Sequence, residues 1–170
     1  EASRAGLSAF GLEVASVAGG VTLLAGVMRD AARTIAEFDS GLARIKALGG
    51  EYRDNIDGIA EAAKTAGTAF GFTASESLSA VEALAKAGVS AEQILGWGLQ
   101  GALVLAASGS MNVGEAAEIA ANAMTQFGLS GSDVSKVADL LSAGANKATG
   151  DVGDFAQALK QSGLVAAQFG

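Results

Sequence analysis

The 170-residue chain has no cysteine, no histidine and no proline, and only 5% of it is aromatic, with one Trp, one Tyr and seven Phe. Without Cys there is no thiol nucleophile, thiolate metal site or disulfide, and nothing from which to read a redox compartment. Without His there is no imidazole for zinc or for a Ser-His-Asp triad, and no side chain that titrates near neutrality when unperturbed. Without Pro, no helix has to break for want of an amide proton. Cationic charge is scarce as well. Eleven Lys and Arg stand against 18 Asp and Glu, for a formal net charge of −7. A nucleic-acid surface needs the reverse, clustered Lys and Arg.

What is abundant is small. The chain holds 24 Gly and 38 Ala, with half of its residues hydrophobic and 17% charged. Ala is the strongest helix former, while Val and Ile are too sparse and too little alternated to build sheets. The length suits one domain with a real core. These features predict an all-α protein: a long heptad-patterned helix over 1–48, then a compact helical core domain over 49–170 built from about six short helices.

The first third carries a regular stripe. Leu7, Phe10, Val14, Val17, Val21, Leu24, Met28, Ile35, Phe38, Leu42 and Ile45 fall at alternating steps of three and four, with Ala31 filling the one gap. That is the 3.5-residue period of a left-handed coiled coil. β-Branched and aromatic residues at both seam positions favour three or more strands over two. The flanks, Gly11, Ala18, Ala25 and Ala32, carry no charge to select a partner. Self-association through this stripe is one expectation. The other is an amphipathic helix folded back on its own domain.

From about Glu51 the pattern shifts to short, punctuated helices. Three junctions share one grammar: Phe70-Gly71-Phe72-Thr73-Ala74-Ser75-Glu76, Ala87-Gly88-Val89-Ser90-Ala91-Glu92-Gln93, and Phe127-Gly128-Leu129-Ser130-Gly131-Ser132-Asp133. In each, Gly can take the left-handed position that ends a helix, an apolar residue packs back, and Ser or Thr caps the next helix. Glu76 and Gln93 complete capping boxes. Asn112 with Glu115, and Asp151 with Asp154, mark two further starts. The spacing predicts helices over 51–68, 75–87, 91–108, 113–127, 132–148 and 151–168. Helix 91–108 is apolar nearly all round and is expected at the centre. Trp97, Leu103, Phe127, Leu141 and Phe155 are expected to anchor the core.

No motif points to catalysis. Gly96, Gly98 and Gly101 spell G-x-G-x-x-G, but no strand precedes them and no βαβ pattern surrounds them. Close helix packing accounts for them better than a dinucleotide does. Glu51, Asp54, Asp57 and Glu61, with Arg53 and Lys64, read as a solvated helical face rather than an acid–base pair. No catalytic residue, cofactor site or metal site is expected.

Several strings in order resemble the core region of phage tail tape measure proteins. They are Leu84-Ala85-Lys86-Ala87-Gly88-Val89-Ser90, Leu103-Val104-Leu105-Ala106-Ala107, Phe127-Gly128-Leu129, Val137-Ala138-Asp139-Leu140-Leu141, Ala145-Asn146 and Asp151-Val152-Gly153-Asp154-Phe155. Ala36-Glu37-Phe38-Asp39 suits the segment before that core. The resemblance implies a structural protein of the virion, made in the host cytoplasm. Several helical copies, most plausibly three, would lie inside the tail tube, set tail length during assembly and leave ahead of the DNA. Its implied partners are further copies, the tail tube and the tail tip or baseplate, with contact to the host membrane during ejection and no specific nucleic acid. An acidic chain would not cling to DNA following it through the tube.

The chain opens on Glu1 rather than Met and stops inside its last helical pattern, so a piece of a longer protein is expected. Two uncharged stretches, Val14–Met28 and Gln93–Gly114, raise an alternative: a membrane-active helical protein, such as a pore former or secreted effector. The first is too short for a span and both are interrupted by Gly and polar residues.

Overall fold

The computed structural model describes residues 28–130, 133–147, 153, 154, 157 and 158. By compactness the chain divides into two units, 1–37 and 38–170. Every regular element among the described residues is helical. The first, α1, runs over 28–47. It is followed by α2 (Gly50–Asp54), α3 (Ile56–Phe70), α4 (Ala74–Lys86), the short α5 (Ala91–Gln93), a π-helical segment (Ile94–Gly98), α6 (Leu99–Gly109), α7 (Val113–Phe127) and α8 (Val134–Lys147). The fold class is all-α, and a bundle of short helices follows the first.

The punctuation forms as its chemistry dictates. Gly71, Gly88 and Gly128 take left-handed φ of 79°, 85° and 63°. After each, the apolar residue's amide closes the same six-residue ring: Phe72 donates to Gly67, Val89 to Leu84 and Leu129 to Met124, at 2.8, 3.1 and 2.8 Å. These are Schellman closures that satisfy carbonyls at the helix ends. Thr73 with Glu76 and Ser90 with Gln93 form complete capping boxes. At the third junction Asp133 answers in the same way, its carboxylate accepting from the Ser130 amide and hydroxyl at 3.0 and 2.8 Å. Asn112 caps α7 by accepting from Gly114 at 2.9 Å.

One boundary differs from the sequence reading. The helix expected over 51–68 is broken at Asn55, which sits at φ −102°, ψ 15°. Its side-chain amide and backbone N–H both donate to the Glu51 carbonyl, at 2.8 and 3.0 Å. Asn commonly diverts a helix in this way, by offering a side-chain hydrogen bond in place of a backbone one. Between α1 and α2, Gly49 and Gly50 both take positive φ. The division between the compact units falls after Glu37, so the last turns of α1, from Phe38, belong with the core.

α6 occupies the middle, packed against α3, α4, α7 and α8. Leu99, Ala102, Leu103, Leu105 and Ala106 are all buried within it. Around it, Ile59, Leu78, Val81, Leu84, Ile94, Val113 and Val134 complete a core in which many positions are Ala. Small residues let the helix axes come close. On α3, a Cβ at Gly67 would stand 2.6 Å from the Ser77 hydroxyl oxygen of α4. At Gly101 a Cβ would lie 3.0 Å from the backbone of Ser135. Further along, the hydroxyls of Ser108 and Ser142 are 2.7 Å apart. Contacts at 101–135 and 108–142 keep one offset, so α6 and α8 run parallel, with α7 as the return.

Candidate functional site

The stripe of α1 divides by environment. Met28 and Ile35 are exposed, at 68% and 62%, and Ala31 between them is also open to solvent. Three residues beyond Ile35 the same register turns inward. Phe38 and Leu42 pack against the hydrophobic core and Ile45 is fully buried within it. The positions Leu7, Phe10, Val14, Val17, Val21 and Leu24 lie outside the described residues. Folding back on the domain, one of the two alternatives set out from the sequence, describes the stretch from Phe38 to Ile45.

Several contacts hold the inward stretch. Gly41 lies against Leu78, where a Cβ would come within 2.9 Å of the Leu78 Cδ1. The Lys64 ammonium stands 5.3 Å from the centre of the Phe38 ring, within cation–π reach. Arg44 and Lys86 both donate to Glu82, at 2.8 and 2.7 Å. Those hydrogen bonds, Arg44's first and then Lys86's, hold the Glu82 carboxyl below its ordinary range. Tyr52 donates to the Val89 carbonyl at 2.9 Å, tying α2 to the end of α4. Burial, with the nearby Glu51 charge, raises its phenol.

Two of the expected core anchors are corrected. Trp97 is 62% exposed. It lies four residues after Gln93 and three before Gln100, on the solvent stripe of an otherwise buried helix. Ile94 and Gly98 take the inward positions of the π-helical segment instead. The indole edges an open groove of about 220 Å³ between α6 and α8, which Gln100, Val104, Ser135, Ala138 and Asp139 also line. Phe127 is 60% exposed. It is the last residue of α7, where Gly128 turns the chain away, and the helix's buried face ends one turn earlier at Met124. Leu103 and Leu141 are buried, at 0% and 3%. Phe155 lies outside the described residues.

The remaining motifs do structural work. Gly101 admits α8, and Gly98 lies close to Leu84 and the Gln93 carbonyl, whereas nothing approaches Gly96. All three are inside helical segments, with no exposed helix start to hold a pyrophosphate. Glu51, Asp54, Asp57 and Glu61 are exposed. Among the described residues no cluster of three acidic side chains is placed to hold a metal ion. Nor, among them, is any single helix long and apolar enough to cross a membrane. The bent pair Ala91–Gly109 and Val113–Phe127, at 113°, meets that test only by joint length and composition. Its helices are largely core.

Residues 60–170 match the profile of the phage-related minor tail proteins. The chain belongs to that family. A tape measure protein of Pneumococcus phage Dp-1 is 28% identical over 134 residues, covering 79% of this chain and 12% of the relative. The family is thus the one that contains the tail tape measure proteins, and the chain spans about an eighth of the length of this relative. No solved structure matches the chain significantly.

Proposed function

We propose that this chain is a segment of a tape measure protein whose extended helical length sets the length of the tail. The observation that carries the reading is the family match over 60–170 together with similarity to a named tape measure protein. The physical logic is simple. An α-helix advances about 1.5 Å per residue, so a chain kept helical and extended converts sequence length into distance. The folded unit from Phe38 onward has no such geometry, since its helices double back on one another. The ruled length would come from extended stretches such as the heptad-patterned one.

In this reading several copies, with three favoured by the stripe composition, lie side by side within the tail tube and contact tube and tip proteins. They leave ahead of the DNA at ejection. An acidic chain of net charge −7 does not compete for the DNA backbone behind it. The test is quantitative mass spectrometry of purified particles before and after triggered ejection. Peptides of this chain are expected in intact particles and depleted from emptied tails. Their retention at equal abundance would contradict release, and their absence from intact particles would contradict the tail role altogether.

A further inference from the structure

We propose that the groove between α6 and α8, running from Trp97 to Asp139, docks an extended segment of a partner protein that presents an arginine to Asp139.

The groove lies within the folded unit and is framed by facing stripes of two helices. Trp97, Gly101 and Val104 follow three-four spacing on α6, and Ser135, Ala138 and Asp139 follow it on α8. Its floor is fixed, because a Cβ at Gly101 would already meet the Ser135 backbone. The indole is carried by the π-helical segment Ile94–Gly98, and Ser135 donates to the Trp97 carbonyl at 3.3 Å. π-Helical turns are rare, and many of them mark functional sites. Here the turn keeps Ile94 and Gly98 inside and leaves the chain's one Trp on the surface. A large aromatic at the rim of a groove is the kind of side chain that anchors protein interfaces.

Size selects the kind of occupant. At about 220 Å³ the groove is smaller than the roughly 300–1,000 Å³ of small-molecule pockets. It suits side chains inserted from an adjoining surface. By the register that sets Gly101 against Ser135, Asp139 is level with Leu105, roughly 12 Å beyond Trp97. Three or four residues of extended chain span about that distance.

Charge selects the residue. Among the described residues Asp139 is the one charged side chain lining the groove, and it is exposed. The ion pairs among those residues join Arg33 to Glu37, and Arg44 and Lys86 to Glu82, so Asp139 has no cation of its own. One turn earlier on α8, the Asp133 carboxyl is held low by hydrogen bonds from Ser130 and then by the charge of Lys136. An unpaired carboxylate next to Val104 and Ala138 matches arginine. The alkyl stem lies on the apolar wall while the guanidinium gives the carboxylate two hydrogen bonds. Lysine is more strongly hydrated and lacks that planar fork. A net charge of −7 draws such a partner inward.

Trp97 is the only Trp, so its fluorescence reports occupancy directly. The probe is the peptide acetyl-Leu-Ser-Ser-Arg-Ser-Ser-Leu-amide, with a leucine three residues to either side so that both chain directions are served. Titrated into the full chain, it is expected to shift the emission saturably at millimolar concentration and less readily in high salt. Replacing its arginine by glutamine should weaken binding about tenfold. Asp139→Asn should bring the arginine peptide down to the level of the glutamine peptide and leave the latter unchanged. Asp57→Asn, which removes the same charge from an exposed position on α3, should change neither. No saturable shift, or equal binding of the two peptides to the parent chain, would overturn the proposal. So would equal losses from Asp57→Asn and Asp139→Asn, which would make net charge the cause. Should Asp139→Asn melt early, the parent chain still decides through peptide choice and salt dependence.

Discussion

Gly101 of α6 lies directly beneath Ser135 of α8: a Cβ at Gly101 would come within 3.0 Å of both the Cα and the amide nitrogen of Ser135. The obstacle is backbone, which cannot swing aside as a side chain can. Gly101→Ala is therefore expected to destabilise the fold by about 1–3 kcal/mol, as overpacking typically does. Gly96, five residues earlier, meets nothing within 4 Å. Gly96→Ala is expected to stabilise by up to about 1 kcal/mol through helix propensity alone. Urea denaturation of the two variants measures both, and a shift of the same sign in each would contradict the packing described here.

The indole of Trp97 is on the surface, so its removal leaves no core cavity. Trp97→Ala is expected to cost less than about 1 kcal/mol, against the 2–5 kcal/mol typical of a buried Leu→Ala change such as Leu103→Ala. Fluorescence of this single Trp should be red-shifted and open to quenching by acrylamide. Blue-shifted, protected emission from the monomeric chain would place the ring in the core after all.

Glu82 joins α1 to α4 through Arg44, and its carboxyl is held below the ordinary value of 4.5 by hydrogen bonds from Arg44 and then Lys86. A group whose folded pKa is depressed stabilises above its unfolded pKa and loses that contribution as pH falls through the folded one. Glu82→Gln should therefore lower stability at neutral pH. The deficit should shrink as pH falls below 4.5 and vanish once the wild-type carboxyl is protonated. Arg44 and Lys86 are more than half exposed, which limits the effect at neutral pH to about 1 kcal/mol and makes it weaker in high salt. Thermal melts of both proteins across that range provide the check.

The parts of this fold legible in the sequence are those whose chemistry is local. Gly71 with Phe72, Thr73 and Glu76 carries a helix stop, a hydrophobic return and a capping box within six residues, and each forms by neighbour interactions alone. Burial is a different kind of property. Trp97 is large and sits in an apolar run, which favours the core, yet its spacing from Gln93 and Gln100 assigns it to the solvent stripe. That spacing was the available signal. Phe127 carries no such mark, because whether a helix's last turn has a neighbour depends on the lengths of other helices. The change of environment along α1 is also invisible in sequence, since Ile35 and Phe38 satisfy the same period whichever surface covers them. Gly101 reads as a small residue at a helix crossing, while its neighbour, Ser135, is 34 positions away.

The most direct test of the ruler reading is tail length by electron microscopy in particles whose gene carries six extra heptads immediately before Met28. Forty-two added residues preserve the seam register and, if helical and extended, lengthen the chain by roughly 63 Å. The account predicts intact particles with tails longer by about that amount. Intact particles with tails of unchanged length would contradict it, showing that the seam-bearing stretch adds nothing to the measured distance.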